Sequence, residues 1–168
     1  MTIVRYNDEA VILDMGIHVE NYIRATENED LEKISEKQLI HAEALPHLEK
    51  FSDLIPIVKA IIPTHAHLDH VGGRKWARQK SFSLTNRQSN LGIKNVYTPI
   101  TMTYPGLKPI CTFEPTVIAK GIATIGVITN YGFLLGQMLE QSLAINVKGK
   151  GHYLPCFLMF LFLHSVFG

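Results

Sequence analysis

The run Val58-Lys59-Ala60-Ile61-Ile62-Pro63-Thr64, followed directly by His65-Ala66-His67-Leu68-Asp69-His70, constrains this chain more than any other stretch. Its first half is apolar enough to be a buried strand, and Pro63 marks the end because a ring nitrogen without a proton cannot continue a ladder. Its second half puts three imidazoles and a carboxylate on one loop at that strand end. Such donors suit zinc, iron or manganese better than an ion that prefers thiolates. His65 and His67 are two positions apart, so in extended backbone they point to one side and can share an ion. Asp69 and His70 follow after one spacer, and adjacent residues diverge. The expected arrangement is two ligand pairs serving two neighbouring ions, with a water held between them. Such ions acidify water and polarise an electrophile, and Asp69 would orient the attacking water. A histidine-rich surface loop without metal is the alternative.

His65-x-His67-x-Asp69-His70 behind an apolar strand resembles the signature of the metallo-β-lactamase superfamily of hydrolases. The resemblance implies an α/β fold, an αββα sandwich present here only in part. It also implies two Zn2+ ions, with Mn2+ or Fe2+ as other candidates. His65 and His67 would bind the first ion, Asp69 and His70 the second. Asp14, in Asp14-Met15-Gly16, resembles the superfamily's first acidic motif, which sits under the metal loop and hydrogen-bonds into it. A carboxylate capping a turn, with Gly16 permitting a sharp bend, is the plainer reading of the same residues.

A narrower resemblance covers residues 1–72. Asp14-Met15-Gly16-Ile17-His18-Val19-Glu20-Asn21-Tyr22, with Lys59 to Gly72 around the histidine motif, is similar to the archaeal ribonuclease J group, metallo-β-lactamase nucleases carrying a β-CASP insertion. RNA is then the implied substrate. Residues 114–151 instead resemble small-molecule hydrolases of the same superfamily, which implies an ester, thioester or phosphate substrate. In those proteins the strand after the turn ends in Gly-Cys-x-His, whose His is the next ligand. Here Gly151 is followed by His152-Tyr153-Leu154-Pro155-Cys156, so that signature is absent. His164 is the expected replacement ligand, ahead of His152. A third possibility, from another class, is a catalytically inactive fragment serving as an interaction module.

The totals bound the rest. A length of 168 residues fits one domain, expected to be a truncated metallo-β-lactamase-like domain over 1–168 with an atypical apolar tail over 152–168. With 46% apolar and 18% charged residues the chain is globular rather than disordered. A net charge of +1 gives no global pull toward nucleic acid or membrane, and nothing signals DNA specifically. Cys111 and Cys156 lack CxxC spacing, so neither a disulfide framework nor a zinc knuckle is expected. The opening residues lack the apolar stretch of a signal peptide, which makes the cytoplasm the expected location.

Along the chain, residues 2–6 and 10–15 read as a hairpin around Asn7-Asp8-Glu9. Ser35 with Gln38 predicts a capping box for a helix through Ala44, stopped by Pro46. His41 and His47 are not counted as ligands. Arg74, Lys75, Arg78 and Lys80, with Trp76 among them and Arg87 and Lys94 later, form a solvated helix face or a contact for a phosphodiester backbone. Residues 98–115 are rich in Pro, Thr and Gly, the chemistry of loops and edge strands. Residues 114–126 predict two strands about Lys120-Gly121, and residues 148–151 a turn between paired strands. The apolar run 157–163 is too short to span a bilayer and is expected to be a buried strand or a surface for self-association.

Overall fold

The structure, a computed structural model, describes residues 1–28, 34–71, 95–101, 108–132, 136–147 and 150–154. The basic segment around Trp76, the apolar run 157–163 and His164 lie outside the described residues. The expected hairpin is present as β1 (Thr2–Tyr6) and β2 (Glu9–Leu13), antiparallel with Tyr6 opposite Glu9. Its second strand stops at Leu13 rather than Met15, because Asp14 turns into the left-handed region at φ 56°. β3 (Val58–Ile62), β4 (Asn95–Thr98) and β5 (Lys108–Cys111) add in parallel, giving a five-stranded sheet in the order β1-β2-β3-β4-β5. β5 is an edge, which is where Pro109 can sit without breaking an inner ladder.

A second, antiparallel sheet follows the order β6 (Thr116–Ala119), β7 (Ile122–Gly132), β8 (Gly136–Val147), β9 (Lys150–Leu154). The turn expected around Lys120-Gly121 joins paired strands here; of the turn expected over 148–151, Lys150 and Gly151 instead belong to β9 and residues 148–149 lie outside the described ones, and β7 and β8 run longer than the sequence suggested. Gly121 supplies the left-handed residue that the tight β6–β7 turn requires, at φ 64°.

The two sheets pack face to face. Alternation along β2 sends Val11 and Leu13 to one side, where they meet Ile62 and, from the second sheet, Ala119, Ile122 and Leu143. Ala10 and Ile12 go to the other side, into a core with Ile55, Val58, Ile61, Val71 and Val96. That face is covered by two 3-10 turns, Leu48–Phe51 and Ile55–Ile57, through Leu48, Phe51 and Ile57. The α/β class is therefore as expected: among the described residues, two packed sheets carry a layer of short 3-10 turns on one outer face.

Two helices flank this core. α1 (Val19–Thr26) was not anticipated, and its cap is His18, whose Nδ1 accepts from the Asn21 backbone N–H. α2 (Glu36–His41) carries the expected Ser35/Gln38 capping box. It ends before Ala44, where the chain turns through Glu43 at φ 55°, so Pro46 is not what stops it. Leu39, Ala44 and Leu45 join Ile17 and Ile34 in a small separate core. Among the described residues no helix is long and apolar enough to cross a membrane.

Candidate metal centre

β3 delivers the chain to the site, and β2 delivers its support. Residues 64–67 form a bend rather than the extended segment assumed from the sequence, and a single helical turn, α3 (Leu68–Val71), follows. Its first hydrogen bonds run from His70 N and Val71 N to the His67 carbonyl, 3.0 and 2.8 Å. The His65/His67 pair nevertheless converges, with His65 Nε2 2.9 Å from His67 Nδ1. Convergence comes from opposed ring nitrogens, not from strand alternation. Asp69 and His70 do not diverge either. On a helical turn neighbours are separated by about 100°, not 180°, and His70 Nε2 lies 3.2 Å from Asp69 Oδ2. Donor atoms of His65, Asp69 and His70 all fall within 4.8 Å of one another.

Asp14 lies beneath this loop. Its left-handed backbone lets its own N–H bond the Ile62 carbonyl at 3.1 Å while the carboxylate reaches across the end of β3. Oδ1 accepts from the Thr64 backbone N–H at 2.7 Å and from the Thr64 hydroxyl at 3.0 Å, and Oδ2 accepts from His70 Nδ1 at 2.7 Å. A carboxylate only accepts, so the Thr64 hydroxyl spends its proton on Asp14. Thr64 Oγ1 then receives His65 Nδ1–H, 3.1 Å away, and shares His70 Nδ1–H at 2.9 Å. Both imidazoles thus have their Nδ1 committed to support and their Nε2 turned to the donor cluster, the tautomer a metal ligand needs. Thr64, 2% exposed, is a residue the sequence reading passed over.

Gly16 acts by its lack of a side chain, not by turning the chain. Met15 N donates to the His70 carbonyl at 2.9 Å, which brings two backbones together. A Cβ on Gly16 would overlap the Asp69 carbonyl group and the His70 nitrogen.

The charges follow from this geometry. Burial, followed by the neighbouring His70 and His67 charges, pushes the His65 imidazole down to about 4. Burial also opposes the charge on His70, but the Asp14 hydrogen bond and the Asp14 and Asp69 carboxylates outweigh it and raise its pKa above 6.5. Between pH 6.5 and about 4 the unfolded chain binds more protons at position 65 than the folded one, so acidification through that window destabilises the metal-free fold. His70 acts in the opposite sense: its contribution is full below pH 6.5 and is lost as pH rises through its elevated folded value. Thermal unfolding of the metal-free chain should therefore peak near pH 6.5. A His65→Asn variant should flatten the acid limb, and an unchanged acid limb would contradict this origin.

Two clefts flank the loop. One, of about 420 Å3, adjoins His65 and His67 and is walled, among the described residues, by Ile100, Met138, Leu139 and Gln137. The other, of about 500 Å3, reaches Asp69 and includes His18, His47 and Lys50. The donor chemistry fits a first-row or zinc ion: two nitrogens in one pair, a nitrogen and an oxygen in the other. Two nitrogens on one tetrahedral zinc stand roughly 3.3 Å apart, close to the His65–His67 spacing. His152 sits opposite Ile145 on β8, four residues along the strand from Gln141, whose N–H bonds the Thr64 carbonyl.

The loop, its acidic support and the two packed sheets make up an α/β sandwich of two sheets. The named likeness is narrower. The chain is similar to the ribonuclease J of Methanocaldococcus jannaschii, 36% identical over 72 residues that make up 43% of this chain and 16% of that protein. It is also similar to the ribonuclease J of Pyrococcus abyssi, 41% identical over 76 residues, 43% of this chain and 15% of that protein. The matches thus span about a sixth of these relatives. Among solved structures, a metallo-beta-lactamase fold protein from Bacillus subtilis aligns over 89% of this chain and 52% of its own, with 12% identity and a TM-score of 0.46. A subclass B3 metallo-beta-lactamase from a soil metagenome aligns over 90% and 53%, with 13% identity and a TM-score of 0.43. No family model matches the sequence.

Proposed function

We propose that this chain carries the first ligand cluster of a zinc-dependent hydrolase that cleaves phosphodiester bonds in RNA. The observation that carries the proposal is the pairing of donors: His65 Nε2 with His67 Nδ1, and His70 Nε2 with Asp69. In this reading each pair holds one cation, and Asp14 fixes the His70 ring through Nδ1. Bound divalent cations would supply a lowered water pKa and polarisation of the phosphoryl oxygens. Asp69, with a half-exposed carboxylate, is placed to orient the attacking water as well as to bind. Catalytic zinc sites take three protein ligands, so each pair needs one more donor, and His164 is the proposed source for one of them. RNA as substrate rests on the ribonuclease J relatives.

The recess beside His65 and His67, walled among the described residues by Ile100, Met138, Leu139 and Gln137, favours a second reading, hydrolysis of a small ester, thioester or phosphate. Turnover of 5′-phosphorylated RNA against chromogenic phosphodiesters and thioesters separates the two. His67→Ala and Asp69→Ala should each lower turnover of the accepted substrate by more than ~100-fold. Both side chains are at least partly exposed, so unfolding temperature should change little. Retained turnover in either variant counts against the assignment. Elemental analysis showing well under one metal ion per chain would instead favour an inactive interaction module.

A further inference from the structure

Among the described residues of the second sheet, Gln141 on β8 is a fully buried side chain that reaches the start of the donor loop. Its Nε2 donates to the Pro63 carbonyl at 2.8 Å and to the Tyr97 carbonyl at 2.6 Å. Its Oε1 accepts from the hydroxyls of Thr112 and Thr124, each at 2.8 Å. Its backbone N–H donates to the Thr64 carbonyl at 2.8 Å. Both amide protons and both lone pairs of the side chain are therefore used, as burial away from water demands of a glutamine.

Pro63 and Tyr97 lie where β3 gives way to the donor loop and near the end of β4. We propose that Gln141 is a positioning residue for the candidate metal centre: its nitrogen fixes the end of β3 from which Thr64 and His65 depart, while its oxygen anchors that grip to the second sheet. This rests on the reading of the donor pairs as cation ligands. Thr64 is held by Asp14 at its N–H and by the backbone N–H of Gln141 at its carbonyl, while the Gln141 side chain holds the Pro63 carbonyl one residue before it. The peptide that carries the shared hydroxyl therefore has little freedom to tilt. A metal site tolerates about half an ångström of such play before its donors miss the productive geometry.

The two ends of the amide can be tested separately. Gln141→Glu keeps an oxygen for Thr112 and Thr124 and removes the nitrogen that faces the loop carbonyls. Thr124→Val cuts a bond at the far end and leaves the loop grip in place. Zn2+ affinity of the stripped full-length chain, measured by chelator competition, is read beside the visible absorption of the Co2+ form and the unfolding temperature. Gln141→Glu should bind Zn2+ at least ~10-fold more weakly and shift the Co2+ spectrum. Thr124→Val should unfold a few degrees lower, with Zn2+ affinity within about twofold of wild type. If Gln141→Glu fails to fold, Gln141→Met, neutral and similar in length, removes both ends of the amide, and its Zn2+ affinity is read against Thr124→Val, which loses a bond at the far end alone. A folded Gln141 variant with wild-type affinity and spectrum overturns the proposal, as does an equal loss of affinity in Thr124→Val. A wild-type chain that takes up neither ion overturns the reading of the donor loop itself, and this inference with it.

Discussion

Gly16→Ala should lower the unfolding temperature by roughly 6–12 °C and abolish zinc uptake. The added methyl meets the Asp69 carbonyl group and the His70 nitrogen, which are backbone atoms with no rotamer to yield. Relief requires parting the Met15 N–H from the His70 carbonyl, and that contact sets the height of the donor loop over β2. Overpacking against a rigid neighbour destabilises by about 3 kcal/mol, and each kcal/mol shifts the transition by about 2–4 °C in a chain of this size. Thermal unfolding and zinc stoichiometry on one preparation measure both effects. A variant that keeps the wild-type transition and zinc content would mean that the loop sits farther from Gly16 than the structure places it.

The second large effect is expected at Asp14. Alanine there removes the acceptor of two Thr64 donors and of His70 Nδ1–H. It also leaves a residue with a Cβ and no local hydrogen bond at φ 56°. Unpaired buried donors cost about 1–3 kcal/mol each and the left-handed backbone about 1–2 kcal/mol, so a loss of ~4 kcal/mol is expected. Asparagine tolerates that backbone and keeps one oxygen for Thr64, but its amide nitrogen cannot accept from His70. Asp14→Asn should therefore unfold at a temperature between those of Asp14→Ala and wild type. Its zinc affinity should fall about 10–100-fold, as for other changes to the partner of a ligating imidazole. An asparagine variant equal to wild type in both measurements would show that the carboxylate charge is not engaged.

The site was legible where its chemistry is local. An apolar run, a proline and a dense set of donors state their purpose within thirteen residues (58–70), and the strand and loop lie where that reading put them. The contact between Asp14 and the loop was accessible only through family resemblance, because it joins residues fifty apart in sequence. Gln141 gave no signal at all. A glutamine in a mixed strand reads as a surface residue until the strand's partners are known, and Pro63 is 78 residues away. α1 was missed for a different reason: its core-facing side is short, with Tyr22 and Ala25 only half-buried against the small core, and its cap is a histidine. Gly16 reads from sequence as permitting a sharp bend, because sequence shows that a side chain is missing but not what occupies the space.

The grip on Thr64 from both sides also has a kinetic meaning. The four donors are neighbours in sequence, yet the residues that hold their loop stand at positions 14 and 141. A peptide bearing only the motif would chelate as a loose coil, since neither clasp can close without the intervening chain. Long-range closures of this kind form late and slowly. The donor loop should therefore order late in folding, and the metal capture proposed for it should reach full affinity only after both sheets have docked.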